Sequence, residues 1–274
     1  MQDLNSEVID LLKKITRHKA VKLTNSGNAA IFAALYLCKI INPRPVVAIP
    51  DQGGWISYKT YPDMLGFEIV EVKTDRGLID LNDLEIKTKN ASCFIVTSFA
   101  GYFAEQDIKS IKEVCRKNKC LLIEDAAGGI GDKILCNGEI SDIIVGSFGK
   151  AKPVNLGHGG FISVSKKEWF ENNDEIFSMF KHSIDLAALK EKLLTLDKRH
   201  EFFKMHAQNI KRDLDGFEII HKDSRGINVC AAYKSDLEKQ KIIDYCKSKD
   251  LEYTECPRYI RVNENAISIE IKRL

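Results

Sequence analysis

The segment Ser147-Phe148-Gly149-Lys150-Ala151-Lys152 sets two lysines just past an apolar run, and the glycine-rich turn Gly157-His158-Gly159-Gly160 follows it. A lysine held in a partly desolvated pocket near other cations has a lowered pKa and can attack a carbonyl as an amine. The plainer alternative is a pair of surface lysines, with His158 as a turn residue. Upstream, the apolar run Leu121-Leu122-Ile123 ends in Glu124-Asp125-Ala126-Ala127. Side chains alternate along a strand, so the two acids face opposite ways and only one can meet a given ligand. Ligands of open α/β sheets bind beyond the carboxyl ends of strands. A carboxylate there can pair with a cation such as a protonated ring nitrogen, or cap the next element. Thr24-Asn25-Ser26-Gly27-Asn28 precedes a helical pattern. Its backbone N–H groups, hydroxyl and positive dipole end suit a phosphate, although the same residues also make an ordinary N-cap. Trp55, after Gly53-Gly54, suits either a core position or a stacking platform.

Other chemistries fit less well. Gly128-Gly129-Ile130-Gly131 follows a strand but forms no complete G-x-G-x-x-G, and the two acids before it would repel a pyrophosphate. Neither a G-x-x-x-x-G-K-[ST] loop nor a G-x-S-x-G elbow occurs. The eight cysteines include no C-x-x-C pair, and no second Cys or His pair follows Cys115 and Cys120 at zinc spacing. No metal site is therefore expected. With 41 basic and 39 acidic residues, the formal charge of +2 gives no reason to expect nucleic acid or an anionic membrane as partner. No apolar stretch approaches the roughly 20 residues of a membrane span. Free thiols in apolar runs, and an amphipathic rather than continuously apolar N-terminus, set the expectation of a cytoplasmic protein.

The elements that must position these residues alternate. Apolar runs predict strands over 46–50, 67–73, 93–99, 120–126, 142–148 and 159–165, most of them β-branched on both faces as in a buried, mainly parallel sheet. Helical periodicity marks the N-terminal residues, 27–41 and 105–118. The alternation predicts a three-layer α/β domain over residues 1–184. Residues 185–214 read as one long bridging helix, and the strand and helix patterns after it predict a small α+β domain, giving a second unit over 185–274.

Taken in order, the motifs from about residue 20 to about 214 resemble the DegT/DnrJ/EryC1/StrS family of sugar aminotransferases. Ser26-Gly27-Asn28 is similar to the family's phosphate loop, and Pro50 through Trp55 to its stacking motif. LLIEDAA is similar to its VIEDAA strand, and SFGKAK followed by GHGG to its lysine turn. The resemblance implies fold type I and pyridoxal 5'-phosphate (PLP). It makes Lys152, five residues after Ser147, the Schiff-base lysine, with Lys150 as the alternative register. It places Asp125 on the pyridine nitrogen, Trp55 on the ring, and Ser26, Gly27, Asn28 and Ser147 on the phosphate. It implies a homodimer that moves an amino group from an amino acid such as glutamate to a keto-sugar nucleotide or similar small carbonyl compound.

Departures accompany the match. The family carries Gln or His three residues after the aspartate, where this chain has Gly128, so one contact to the cofactor's side is missing. The segment MFKHSIDLAAL lacks the Asn-Tyr-Arg motif that reaches the partner subunit, and the terminal regions are short. Two other readings follow: a PLP-dependent lyase or dehydratase on the same scaffold, or a binding or regulatory protein that has lost turnover. Retention of Lys152 argues against the dehydratase variant, and retention of the Lys152–Asp125 pair against lost turnover.

Overall fold

The computed structural model describes residues 3–274. Its main sheet has seven strands: β1 (Ala20–Thr24), β2 (Val46–Pro50), β3 (Glu68–Val72), β4 (Ala91–Thr97), β5 (Leu121–Asp125), β6 (Ile143–Ser147) and β7 (Gly160–Val164). They lie in the order β1-β7-β6-β5-β4-β2-β3. The pairs among β3, β2, β4, β5 and β6 are parallel, and β7 is antiparallel to both β6 and β1. This is the mainly parallel α/β sheet that the alternating apolar and helical patterns predict. Strands β2, β4 and β7 are buried at every position, as expected where helices cover both faces.

Helix α1 (Leu4–Thr16) realises the N-terminal amphipathic pattern, whose first two residues lie outside the described ones. Helix α2 (Gly27–Ile41) packs one face of the sheet through Ala30, Ala34, Leu37 and Cys38 against Val47, Ile95 and Ile123. On the opposite face, α3 (Ile108–Lys117) buries Ile108, Ile111 and Cys115 against Phe94, Val96 and Leu122. That second core continues through Phe203 and Ile210 to Val229, Ile267 and Ile269 of a four-stranded C-terminal sheet.

The predicted single helix over 185–214 is two helices, α4 (Leu186–Leu194) and α5 (Leu196–Asp213), broken at Thr195. The Thr195 hydroxyl donates to the carbonyls of Glu191 and Lys192, both at 3.2 Å, and its N–H turns back to Lys192. A β-branched residue that bonds its own preceding turn bends a helix readily. Leu193 and Leu196, on either side of the break, enter the same core. The C-terminal patterns become strands Glu218–Ile219, Val229–Ala232, Tyr253–Glu255 and Ala266–Ile269, with a helix over Asp236–Ser248. All eight cysteines are buried free thiols. Among the described residues no helix is long and apolar enough to cross a membrane.

Candidate active site

Strand register brings the chemistry to one edge. Thr97 pairs with Asp125, Val145 with Asp125, and Ser147 and Thr24 both with Gly160. The carboxyl ends of β1, β4, β5 and β6 therefore lie side by side, and α2 starts immediately beyond β1. A cleft of about 190 Å³ opens there, lined by Ser26, Gly27, Asn28, Ile31, Trp55, Tyr102, Asp125, Ala127, Ser147 and Lys152. All seven residues singled out in the sequence line it. Lys150 and His158 do not, and both are exposed. A larger cavity of about 430 Å³ lies beside α5 and is lined by none of these residues.

Ser26 caps α2, its hydroxyl accepting from Ala29 N at 3.1 Å, so the N-cap and phosphate-loop readings describe the same residue. The first-turn N–H groups of a helix have no intrahelical acceptor, and the positive end of the dipole faces outward with them. Gly27 is required by close approach: a Cβ there would lie 2.6 Å from Ser147 Cβ. The helix end thus sits directly on the end of β6, next to the Ser147 hydroxyl. Asn28 Oδ1 accepts from Trp55 Nε1 at 2.8 Å and fixes the indole at the rim.

Asp125 and Glu124 diverge as alternation requires. Glu124 points into the fold, accepting from Ser98 Oγ, Cys136 N and Ser141 Oγ at 2.7–2.8 Å. Asp125 points into the cleft, accepting from Tyr58 OH at 2.7 Å and Ala127 N at 3.0 Å. Burial pushes the Asp125 carboxyl above its ordinary range, against the pull of Tyr58, Lys152 and the Ala127 N–H. A buried carboxylate in that condition gains from a cation placed beside it.

Lys152 lies in the turn after β6 and is the lysine that enters the cleft. Its ammonium donates to the Tyr102 hydroxyl and lies 4.3 Å from the Tyr102 ring centre and 5.2 Å from that of Trp55. Burial, aided by the Arg261 cation, lowers its pKa to about 8, with Asp125 opposing. Beyond Tyr102 lies a buried ion cluster. Arg261 grips Glu270 with two bonds of 2.9 Å, and Lys272 donates to the same carboxylate. Arg261 and Lys272 lie 5.0 and 4.9 Å from the Tyr102 ring centre.

Sequence reasoning missed Tyr58, Tyr102 and this cluster. Tyr102 did carry a signal: it is an aromatic residue just past the carboxyl end of β4, in AGYF.

Comparison with known proteins decides the family. The aminotransferase class I and II family matches residues 1–230. The chain belongs to that family. A second match, the MJ1341 family C-terminal domain, covers residues 195–274. No curated protein matches the chain in sequence. Among solved structures it is similar to 3-amino-5-hydroxybenzoic acid synthase, with TM-score 0.78 and 16% identity over 99% of this chain and 86% of that one. It is also similar to alanine–glyoxylate aminotransferase from Nostoc sp., with TM-score 0.75 and 14% identity over 97% and 80%. A third is NtdA from Bacillus subtilis with bound PMP, with TM-score 0.74 and 16% identity over 100% and 74%.

This aminotransferase-family chain is thus a transferase whose cofactor is PLP. The cleft fits the group. Its helix N-terminus and serine hydroxyl suit a phosphate, its buried carboxylate suits a ring N–H cation, and its amine of lowered pKa suits a carbonyl carbon. Trp55 offers an aromatic face.

Proposed function

We propose that this chain is an aminotransferase of the DegT/DnrJ/EryC1/StrS type, using an amino acid such as glutamate as donor and a keto-sugar nucleotide or similar small carbonyl compound as acceptor. The observation that carries the reading is the Lys152–Asp125 pair in one cleft, with the α2 N-terminus at the same edge. The five ordered motifs and the likeness to a solved structure containing PMP support it.

When bound, PLP supplies an electron sink and a carrier for the amino group. Asp125, oriented by Tyr58 and Ala127 N, holds a proton on the ring nitrogen. Ser26, Gly27, Asn28 and Ser147 hold the phosphate. Trp55 covers the ring and excludes water from it. Lys152 would hold the cofactor at its carbonyl carbon and would serve as the base and acid that moves a proton at the reacting carbon. Its pKa of about 8 leaves a usable neutral fraction near neutrality while keeping the amine basic enough to accept that proton.

The division into a PLP-binding unit over 1–184 and a small unit over 185–274, a homodimer and a cytoplasmic location complete the proposal. A PLP-dependent lyase or dehydratase on the same scaffold is the competing reading, and retention of Lys152 argues against its sugar dehydratase form.

The deciding experiment is a single half-turnover. PLP-loaded protein mixed with excess glutamate and no acceptor should release about one 2-oxoglutarate per loaded site, because the amino group stays on the protein-bound carrier. A keto-sugar nucleotide should then discharge it. Release of ammonia, or of no oxoacid with any amino acid tried, contradicts the aminotransferase reading.

A further inference from the structure

Gly128 occupies the position where the family resemblance calls for Gln or His, and the space such a side chain would need is filled. A Cβ on Gly128 would meet Tyr102 Cδ1 at 3.1 Å, Ile227 Cδ1 at 3.2 Å and Tyr102 Cε1 at 3.3 Å. The same tyrosine lines the cleft and receives the Lys152 ammonium on its hydroxyl.

Resting on the cofactor site proposed above, we infer that Tyr102 is a positioning residue that replaces the side chain Gly128 lacks: its ring, with Ile227, fills that space and its hydroxyl holds the Lys152 amine.

The backbone around Tyr102 is built to hold it there. Tyr102 has φ 73°, in the left-handed region that a bulky non-glycine residue adopts at a cost of about 1 kcal/mol or more. The conformation is fixed from both sides. Its N–H donates to Phe99 O at 3.1 Å, and its carbonyl accepts from Ile227 N at 2.8 Å and Asn228 N at 2.9 Å. Gly101, just before it, also has positive φ and could not carry a Cβ, which would lie 2.5 Å from Phe103 Cε1 and 2.7 Å from Arg261 O. Aromatic faces attract cations, and the Tyr102 ring has three about it, Lys152, Arg261 and Lys272. Two of these are anchored by Glu270. Lys152 alone reaches the cleft, so the tyrosine is its fixed seat against the C-terminal unit.

The charged and titratable groups that face Lys152 are thus Asp125 with its Tyr58, Tyr102 itself, and Arg261, Glu270 and Lys272 behind the ring. Removing the hydroxyl takes away a hydrogen-bond acceptor that serves the charged form of Lys152. Removing the whole side chain also opens the space beside Gly128.

The test begins without added cofactor, by acylating Lys152 with an amine-reactive reagent across a pH series and reading the modified peptide by mass. Unaltered protein should show a midpoint of about 8. In Tyr102→Phe the ring stays and the acceptor goes. The midpoint should then fall by about one pH unit, the usual worth of a hydrogen bond to a charged group. An unchanged midpoint overturns the proposal.

A second arm measures PLP affinity. Tyr102→Ala and Gly128→Gln should each weaken binding about tenfold, equivalent to one hydrogen bond or one modest clash. The double variant should bind within about threefold of the unaltered protein, because the new amide occupies the space the ring leaves. Losses that simply add in the double variant overturn the exchange. If unaltered protein binds no PLP, the functional proposal fails while the acylation profile still decides the role of Tyr102. If it binds PLP and Tyr102→Phe leaves the Lys152 midpoint unchanged, this inference alone fails.

Discussion

At the scale of single residues, the cleft is a set of groups held out of their ordinary ionisation. Asp125 is buried with a raised pKa, so a negative charge there costs stability until a cation arrives. The sign follows: a carboxyl whose folded pKa lies above its unfolded value penalises the fold once pH rises above the unfolded value, and the cost is full above the folded one. Asp125→Asn should therefore make the PLP-free protein more stable at pH 7, by on the order of 1 kcal/mol, while lowering amino transfer at least 100-fold. Thermal melts of both forms against a rate assay check the pair of effects, and a less stable Asn variant contradicts the account. From the sequence, alternation along the strand showed that only one of the two adjacent acids could face a ligand, and the resemblance singled out Asp125. Tyr58 was not readable there. Its hydroxyl reaches Asp125 from a short helical turn 67 positions away, and no local pattern marks such a contact. The spacing from Ser147 that the resemblance implies favoured Lys152 and left Lys150 as the alternative; in the fold Lys150 is exposed and outside the cleft.

At the scale of elements, the site depends on α2 ending flush against β6. Gly27 has no spare room, since its Cβ would meet backbone and side chain of Ser147 within 3.3 Å. Gly27→Ala should push the helix terminus outward and weaken PLP binding about tenfold or more, with a stability loss of only about 1–2 kcal/mol. Equilibrium binding beside a urea melt separates these, and unaltered affinity would mean that the helix end holds no phosphate. The strands of the parallel sheet were legible because apolar, β-branched residues fill both faces. Strand β1 was not, because AVKLT is short and interrupted by Lys22, an edge position with one polar side. The break between α4 and α5 also escaped periodicity: the apolar phase runs through Leu193 and Leu196, and only the hydroxyl geometry of Thr195 reveals the bend.

At the scale of the whole molecule, the C-terminal sheet does more than cap the core. Arg261, Glu270 and Lys272 form a buried cluster at its boundary with the large sheet, 4%, 1% and 4% exposed, and one carboxylate neutralises two cations. Those cations hold the Glu270 carboxyl down at about 2 against the cost of burial. Its stabilisation is complete above the unfolded carboxyl range and is lost as pH falls from about 4.5 toward about 2. Glu270→Gln leaves two buried cations without a counter-charge. It should cost about 3–5 kcal/mol at pH 7 and remove the acid limb of the stability profile. Urea melts at several pH values show whether it does, and a variant with the original acid limb contradicts the assignment. Nothing in the sequence announced this cluster, since its members are spread along a segment whose strand pairing had to be known first.

Amino transfer in this cleft requires that Lys152 meet PLP there. Borohydride reduction of the PLP-treated protein, followed by peptide mass mapping, tests that contact directly. The predicted result is a single reduced adduct on the peptide containing Lys152, absent in Lys152→Ala and weakened in Asp125→Asn. An adduct on Lys150, or none on either lysine after the visible band has been sought at several pH values, would contradict it.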